Sequence, residues 1–156
     1  MKLAFLCPQQ RRRLEYRPAS AKTVWEHCSN LPNNRASHSV TNAMIMRGNA
    51  FEAADIYVQH SRGAQPHLLA RYIDTALHLI EQLADLQQPR LGIAVASISA
   101  LTLQRTSHTG GDRRAIRLGL RRLRETTAQL LEQLSSTDQG ANDHRRTQNV
   151  LPGLPD

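Results

Sequence analysis

From about residue 36 to 134, apolar residues recur three and four positions apart, the spacing of a single helix face. Ala36, Val40, Ala43 and Met44 predict a helix over 36–47, and Gly48 then stands where a left-handed, helix-ending residue is favoured. Phe51, Ala54 and Val58, with Ala53 and Tyr57 beside them, predict a second helix over 49–62. Glu52, Asp55, Gln59 and Arg62 form its polar stripe, and Gly63 stops it. Pro66 suits the first turn of a third helix, which carries Leu69, Ile73, Ala76, Ile80 and Leu83 and ends near Gln87. Pro89 opens a fourth. Leu91, Ile93 and Val95 alternate there as in a strand, but Ile98 breaks the alternation, and Ala94, Ile98 and Leu101 make a helical face, so a buried helix is expected. After Gly110-Gly111, Asp112 caps the longest helix, to about Leu134, with Ile116, Leu120, Leu123, Leu130 and Leu134 in a coiled-coil-like seam.

The flanks lack this pattern. Residues 1–19 have no usable periodicity and predict a mobile arm around Arg11, Arg12 and Arg13. Ser20 caps a short helix with Ala21, Val24, Cys28 and Leu31 at helical spacing; Pro32 ends it and Asn33-Asn34 forms a turn. Residues 135–156 lose the periodicity and gain Ser, Asp, Asn, Gly and Pro. The predicted organisation is a basic N-terminal arm with a docking helix (1–33), a helical domain (34–135) and a disordered tail (136–156). Short connections predict antiparallel neighbours, so the fold class is all-α: an antiparallel array of about five helices, as an α-α superhelix or compact bundle, with disordered termini.

Composition narrows the core. Aromatic residues are 4% of the chain and Trp25 is its one tryptophan, leaving Leu, Ile, Val, Ala and Met to fill the interior. Cys7 and Cys28 do not make a disulfide framework and are expected as reduced thiols. The apolar run Leu3–Cys7 is too short for a signal sequence, and nothing approaches a membrane-spanning run, so a soluble cytoplasmic chain is expected. The net charge of +7 is uneven: seven basic against two acidic residues in 1–35, three against five in 36–88, eight against three in 89–134 and two against three in 135–156. Two basic blocks flanking a near-neutral middle point to an acidic partner surface or to nucleic acid.

The stretch from Asn42 to Pro66 resembles one degenerate tetratricopeptide repeat (TPR). Gly48 matches the turn between the repeat's helices, Glu52-Ala53 the Glu-Ala of its second helix, Tyr57 the following aromatic, and Pro66 falls one place beyond the closing proline; Val40 and Met44 fill the first helix's apolar slots. Thr41 and His60 stand where the repeat has small residues, and no second copy follows. The resemblance implies a TPR-like hairpin completed by the later helices, and a non-enzymatic module that holds a peptide or partner helix, as adaptors and chaperones do.

The most distinctive chemistry is basic. Arg113, Arg117, Arg121 and Arg124 span a helical sector of roughly 80°, centred about 90° from the leucine seam, and Arg114 extends the same side. Guanidinium groups in such a row suit carboxylates and phosphates, so these five arginines are the predicted binding edge. The histidines and cysteines lack metal-site spacing: His60, His67 and His78 are not paired, and Cys7, His27 and Cys28 have the wrong gaps. No acid sits in an apolar sequence context that would raise its pKa for general acid work, and no phosphate-cradling loop appears. No enzyme activity, cofactor or metal is predicted. The expected function is a protein–protein interaction module (adaptor, chaperone or regulator) whose seam buries apolar residues of an acidic or amphipathic partner while the arginines pair with its acids. The alternatives are nucleic-acid binding through the basic blocks, and a helical homo-oligomer whose seam pairs with itself.

Overall fold

The computed structural model describes residues 5–30 and 40–148, with side chains placed up to Ser136 except at 40 and 41. Among the described residues the chain is all-helical, with six helices and no strand: α1 (Pro8–Tyr16), α2 (Pro18–Ser29), α3 (Val40–His60), α4 (Pro66–Asp85), α5 (Pro89–His108) and α6 (Arg113–Gln148). Four of the six begin at proline, where the missing N–H forfeits no hydrogen bond.

At the centre lies α3, whose residues 50–56 are all buried. A helix covered on every side has neighbours all round, and α3 packs against α1, α2, α4 and α5. The two helices expected over 36–47 and 49–62 are therefore one helix across the described residues, and Gly48 is in its interior rather than at a turn. The reason is tertiary: the Phe5 ring occupies the space that a side chain at 48 would need. Among the described residues the turn that the TPR resemblance places at Gly48 is not formed, and no TPR-like repeat is identified. The expected start near Ala36, the Asn33-Asn34 turn and the boundary at 33/34 lie outside the described residues.

The N-terminal arm is structured in its described part. Cys7 caps α1: its Sγ accepts from the Gln10 N–H at 3.4 Å while Gln10 Oε1 accepts from the Cys7 N–H at 3.3 Å. Leu6 and Leu14 are buried, and the Phe5 N–H donates to Glu52 Oε1 at 2.7 Å. The absence of periodicity in 1–19 misled because a helix of nine residues docks through few contacts: the side chains of Phe5, Leu6 and Leu14, the Phe5 N–H and the Arg11 guanidinium on Glu52. Gly48→Val is expected to evict Phe5, costing about 1–3 kcal/mol as overpacking does. It is also expected to accelerate tryptic cleavage at Arg11–Arg13; unchanged cleavage would refute this account of the glycine.

The remaining helices follow the sequence closely. In α4, Leu69, Tyr72, Ile73, Ala76, Leu77, Leu79, Ile80 and Leu83 form one buried face. It ends in a Schellman motif: Gln87 takes a left-handed φ of 58°, its N–H donates to Ala84 O at 2.9 Å, and the Gln88 N–H donates to Leu83 O at 2.8 Å. The strand-like run after Pro89 is a helix, α5, as expected, but its face is not the expected one: Gly92, Val95, Ala96, Ser99, Thr102, Leu103 and Thr106 point inward, while Ala94 and Ile98 are half-buried and Leu101 is exposed. Asp112 caps α6 as expected, its Oδ1 accepting from the Ala115 N–H at 2.7 Å. However, α6 continues to Gln148, beyond the expected end near Leu134 and into the segment assigned to a disordered tail. Apolar periodicity marks the part of a helix that packs, not the point where its hydrogen bonding stops.

Candidate interaction surface

The edge of α6 is built by what the opposite face buries. Ile116, Gly119, Leu123 and Leu130 point inward. Gly119 is packed so closely that an added Cβ would strike Ile73 of α4 and Leu103 of α5, and Gly92 of α5 faces the Leu130 side chain. Glycines at both contacts let α6 approach its neighbours closely. Three of the five seam residues (Ile116, Leu123 and Leu130) are thus consumed within the chain, while Leu120 and Leu134 are half-buried. This corrects the expectation that a partner buries its apolar residues against the seam: α4 and α5 already do so.

The five predicted arginines, Arg113, Arg114, Arg117, Arg121 and Arg124, are all exposed. Arg121 Nε donates to Glu125 Oε1 at 2.8 Å, one turn on. The other four make no ion pair with a described side chain. Arg122, on the opposite flank of α6, donates instead to Asp74 Oδ1 of α4 at 2.8 Å. That contact puts α4 beside one flank and leaves the arginine edge on the other. Leu131 is 51% exposed and, at about 100° per residue, falls within about 20° of Arg124 around the helix. The edge therefore combines cations with an uncovered leucine.

Two acids lie where the sequence suggested solvent. Asp55, 4% exposed, accepts from Tyr72 Oη at 2.8 Å and Thr102 Oγ1 at 2.6 Å on one oxygen, and from Gln59 Nε2 at 2.7 Å on the other. Glu52, 3% exposed, takes the Phe5 N–H and, at 3.3 Å, the Arg11 guanidinium. Burial raises both carboxyl groups above their ordinary range, against the lowering effect of their hydrogen bonds and of Arg11. Burial, reinforced by the charge of Asp55, pushes the Tyr72 phenol well up, so it remains a donor. The expectation that no acid is held in a pKa-raising setting is thus overturned. Nothing in sequence separated these acids from Gln59 and Arg62 on the same stripe; the hydroxyls that receive Asp55 come from α4 and α5.

Chemically, the Asp55 cluster is a closed junction. Its carboxylate meets donors from α3, α4 and α5, and Ser99 Oγ beside it is spent on Val95 O at 2.9 Å. It fixes the register of three helices. Cys7 is exposed and Cys28 half-buried, its thiol raised by burial; neither is disulfide-bonded. Among the described residues no three His, Cys, Asp or Glu side chains converge as a metal site would require, and no helix is long and apolar enough to cross a membrane. In comparisons with known proteins, the chain matches no family model, no curated protein and no solved structure.

Proposed function

We propose that this protein is a non-enzymatic, cytoplasmic interaction module, an adaptor, chaperone or regulator that binds an acidic amphipathic segment of a protein partner along the outer edge of α6. The observation that carries this reading is the juxtaposition of Arg117, Arg121 and Arg124 with exposed Leu131, on the flank of α6 away from the Arg122–Asp74 contact. Protein interfaces want an apolar anchor inside a polar rim, and arginine is favoured among their contacts. The leucine supplies the first and the guanidinium groups the second. Antiparallel neighbours, which the short connections favour, give α6 a firm backing. The Gly63 N–H donates to Thr109 O at 3.1 Å and the Asp112 N–H to Ala64 O at 3.3 Å, which supports this arrangement by tying the α3–α4 turn to the α5–α6 turn. A self-pairing leucine seam is disfavoured because its central residues are covered.

The test is affinity capture from the native cell with nuclease present, comparing the natural chain with an Arg117→Glu/Arg121→Glu variant. A nuclease-resistant protein partner held by the natural chain and lost from the variant, at unchanged helicity, is the expected result. Equal recovery by the variant would sink the reading.

A further inference from the structure

The same two turn-to-turn hydrogen bonds bring together basic residues that are far apart in sequence. They join the end of α3 and start of α4 to the end of α5 and start of α6. At that end stand Arg62, Arg105, Arg113 and Arg114, with His67 and His108, all exposed. None of the four arginines makes an ion pair with a described side chain. The chain holds no acid from 56 to 73 and a single acid, Asp112, from 86 to 124. That one carboxylate is engaged in capping the Ala115 N–H. Two helix N-termini and two C-termini meet there, so their dipoles offset one another and the side chains set the sign of the field. The α4–α5 turn is different in kind, with Glu81 and Asp85 against Arg90.

We propose that this end of the helical array is a second binding surface, adjoining the α6 edge at Arg113 and Arg114, and that its ligand is the phosphodiester backbone of a nucleic acid. An acidic protein segment is the competing ligand, and the composition of the end decides against it. Among the described residues the exposed large apolar side chains are Tyr16, Ile45, Leu101, Leu118 and Leu131; none of them lies in either turn, and Leu101 and Leu118 stand one helical turn inward of Arg105 and Arg114, at the rim of the end rather than its centre. A protein interface without an apolar centre lacks its main source of affinity. A phosphate backbone asks for none, because release of condensed counterions drives its association with cations. No aromatic side chain is presented there for base stacking, so recognition is of backbone charge rather than of sequence. This surface shares Arg113 and Arg114 with the α6 edge and adds Arg62 and Arg105, so Arg62→Gln/Arg105→Gln tests it without altering Arg117 and Arg121, on which the protein partner is tested.

The experiment is fluorescence anisotropy with the full chain and a fluorescein-labelled mixed-sequence single strand, repeated with the duplex, over a salt series from about 50 to about 200 mM. Four arginine–phosphate contacts predict a slope of log K against log salt of about −3 for the single strand, or roughly a 60-fold loss across that range. Arg62→Gln/Arg105→Gln is expected to make the slope shallower by about 1.4. Arg12→Gln/Arg13→Gln, on α1, is expected to leave it unchanged. No binding at the lowest salt, or a slope unaffected by Arg62→Gln/Arg105→Gln, would overturn the proposal. So would competition by a polyglutamate peptide as strong as by an unlabelled strand of equal charge, which would assign the end to acidic protein.

Discussion

Alanine at Asp55 is expected to destabilise the fold by about 2–6 kcal/mol, because it strips the acceptor from two buried hydroxyls at about 1–3 kcal/mol each. Tyr72 and Thr102 are 0% and 2% exposed, so neither can turn to water, whereas Gln59 is exposed and can. Asparagine should behave differently. Its carbonyl keeps the acceptor that Tyr72 and Thr102 share, its amide can face a rotated Gln59, and it brings no charge to desolvate. Asp55→Asn is expected to remain within about 1 kcal/mol of the natural chain at neutral pH.

The two variants also separate by pH. Burial raises the Asp55 carboxyl, so the folded state holds its proton more tightly than the unfolded chain does. Linkage then makes this group's contribution most favourable below the ordinary carboxylate range, and it is lost as pH rises through the raised value. Glu52 carries the same sign. Acidification from neutral pH to about 4 should therefore stabilise the natural chain relative to Asp55→Asn, as read from urea midpoints at both pH values. Should Asp55→Asn lose as much as Asp55→Ala, or the gap between natural chain and Asp55→Asn stay constant with pH, the buried-carboxylate account fails.

What the sequence revealed follows from how each helix is covered. The faces of α4 and α6 are one-sided, so their apolar spacing survives as a pattern, Leu69 to Leu83 and Ile116 to Leu130; in α5 the helix was legible but its face was not, because Gly92, Ser99, Thr102 and Thr106 turn inward while Leu101 is exposed. Even Asp112 as a cap was legible, because capping is local chemistry. By contrast, α3 is covered all round at 50–56, so the polar stripe read there was not a solvent face at Glu52 and Asp55. Its Gly48 looked like punctuation because the partner that requires it, Phe5, is 43 residues away in the chain. Glu52 and Asp55 looked solvated because the groups that satisfy them are Phe5 and Arg11 on one side and Tyr72 and Thr102 on the other. The arginine edge of α6 was visible, since one helix carries it. The basic end was not, because it depends on two turns meeting. Leucine spacing also could not say whether the seam faced a partner or the chain's own helices; Gly92 and Gly119, which admit close packing, were the available hint.

Truncating Trp25 tests how the N-terminal helices belong to the rest. The indole is 1% exposed, and its Nε1–H donates to Thr75 Oγ1 on α4 at 3.0 Å. The Arg71 guanidinium lies 4.8 Å from the ring centre, and the Tyr57 ring 6.4 Å away. One side chain of α2 thus reaches both α3 and α4. Trp25→Ala is expected to cost about 3–5 kcal/mol, since the removed ring leaves a cavity that helices held by other contacts cannot close. Trp25→Phe keeps most of the ring and loses the indole bond, for about 1–2 kcal/mol. Urea unfolding followed by far-UV circular dichroism measures both, the method being chosen because Trp25 is the one tryptophan and its fluorescence disappears with it. If α2 were an accessory segment loosely docked on an independent domain, Trp25→Ala would leave the main transition within about 1 kcal/mol of the natural chain and merely add a separate early one. A single transition shifted by the full amount instead makes residues 5–30 part of the same cooperative unit as α3 and α4. Gly48, which Phe5 covers, and Glu52, which Phe5 and Arg11 cover, are then core positions, and Arg11–Arg13 are held on the helical array.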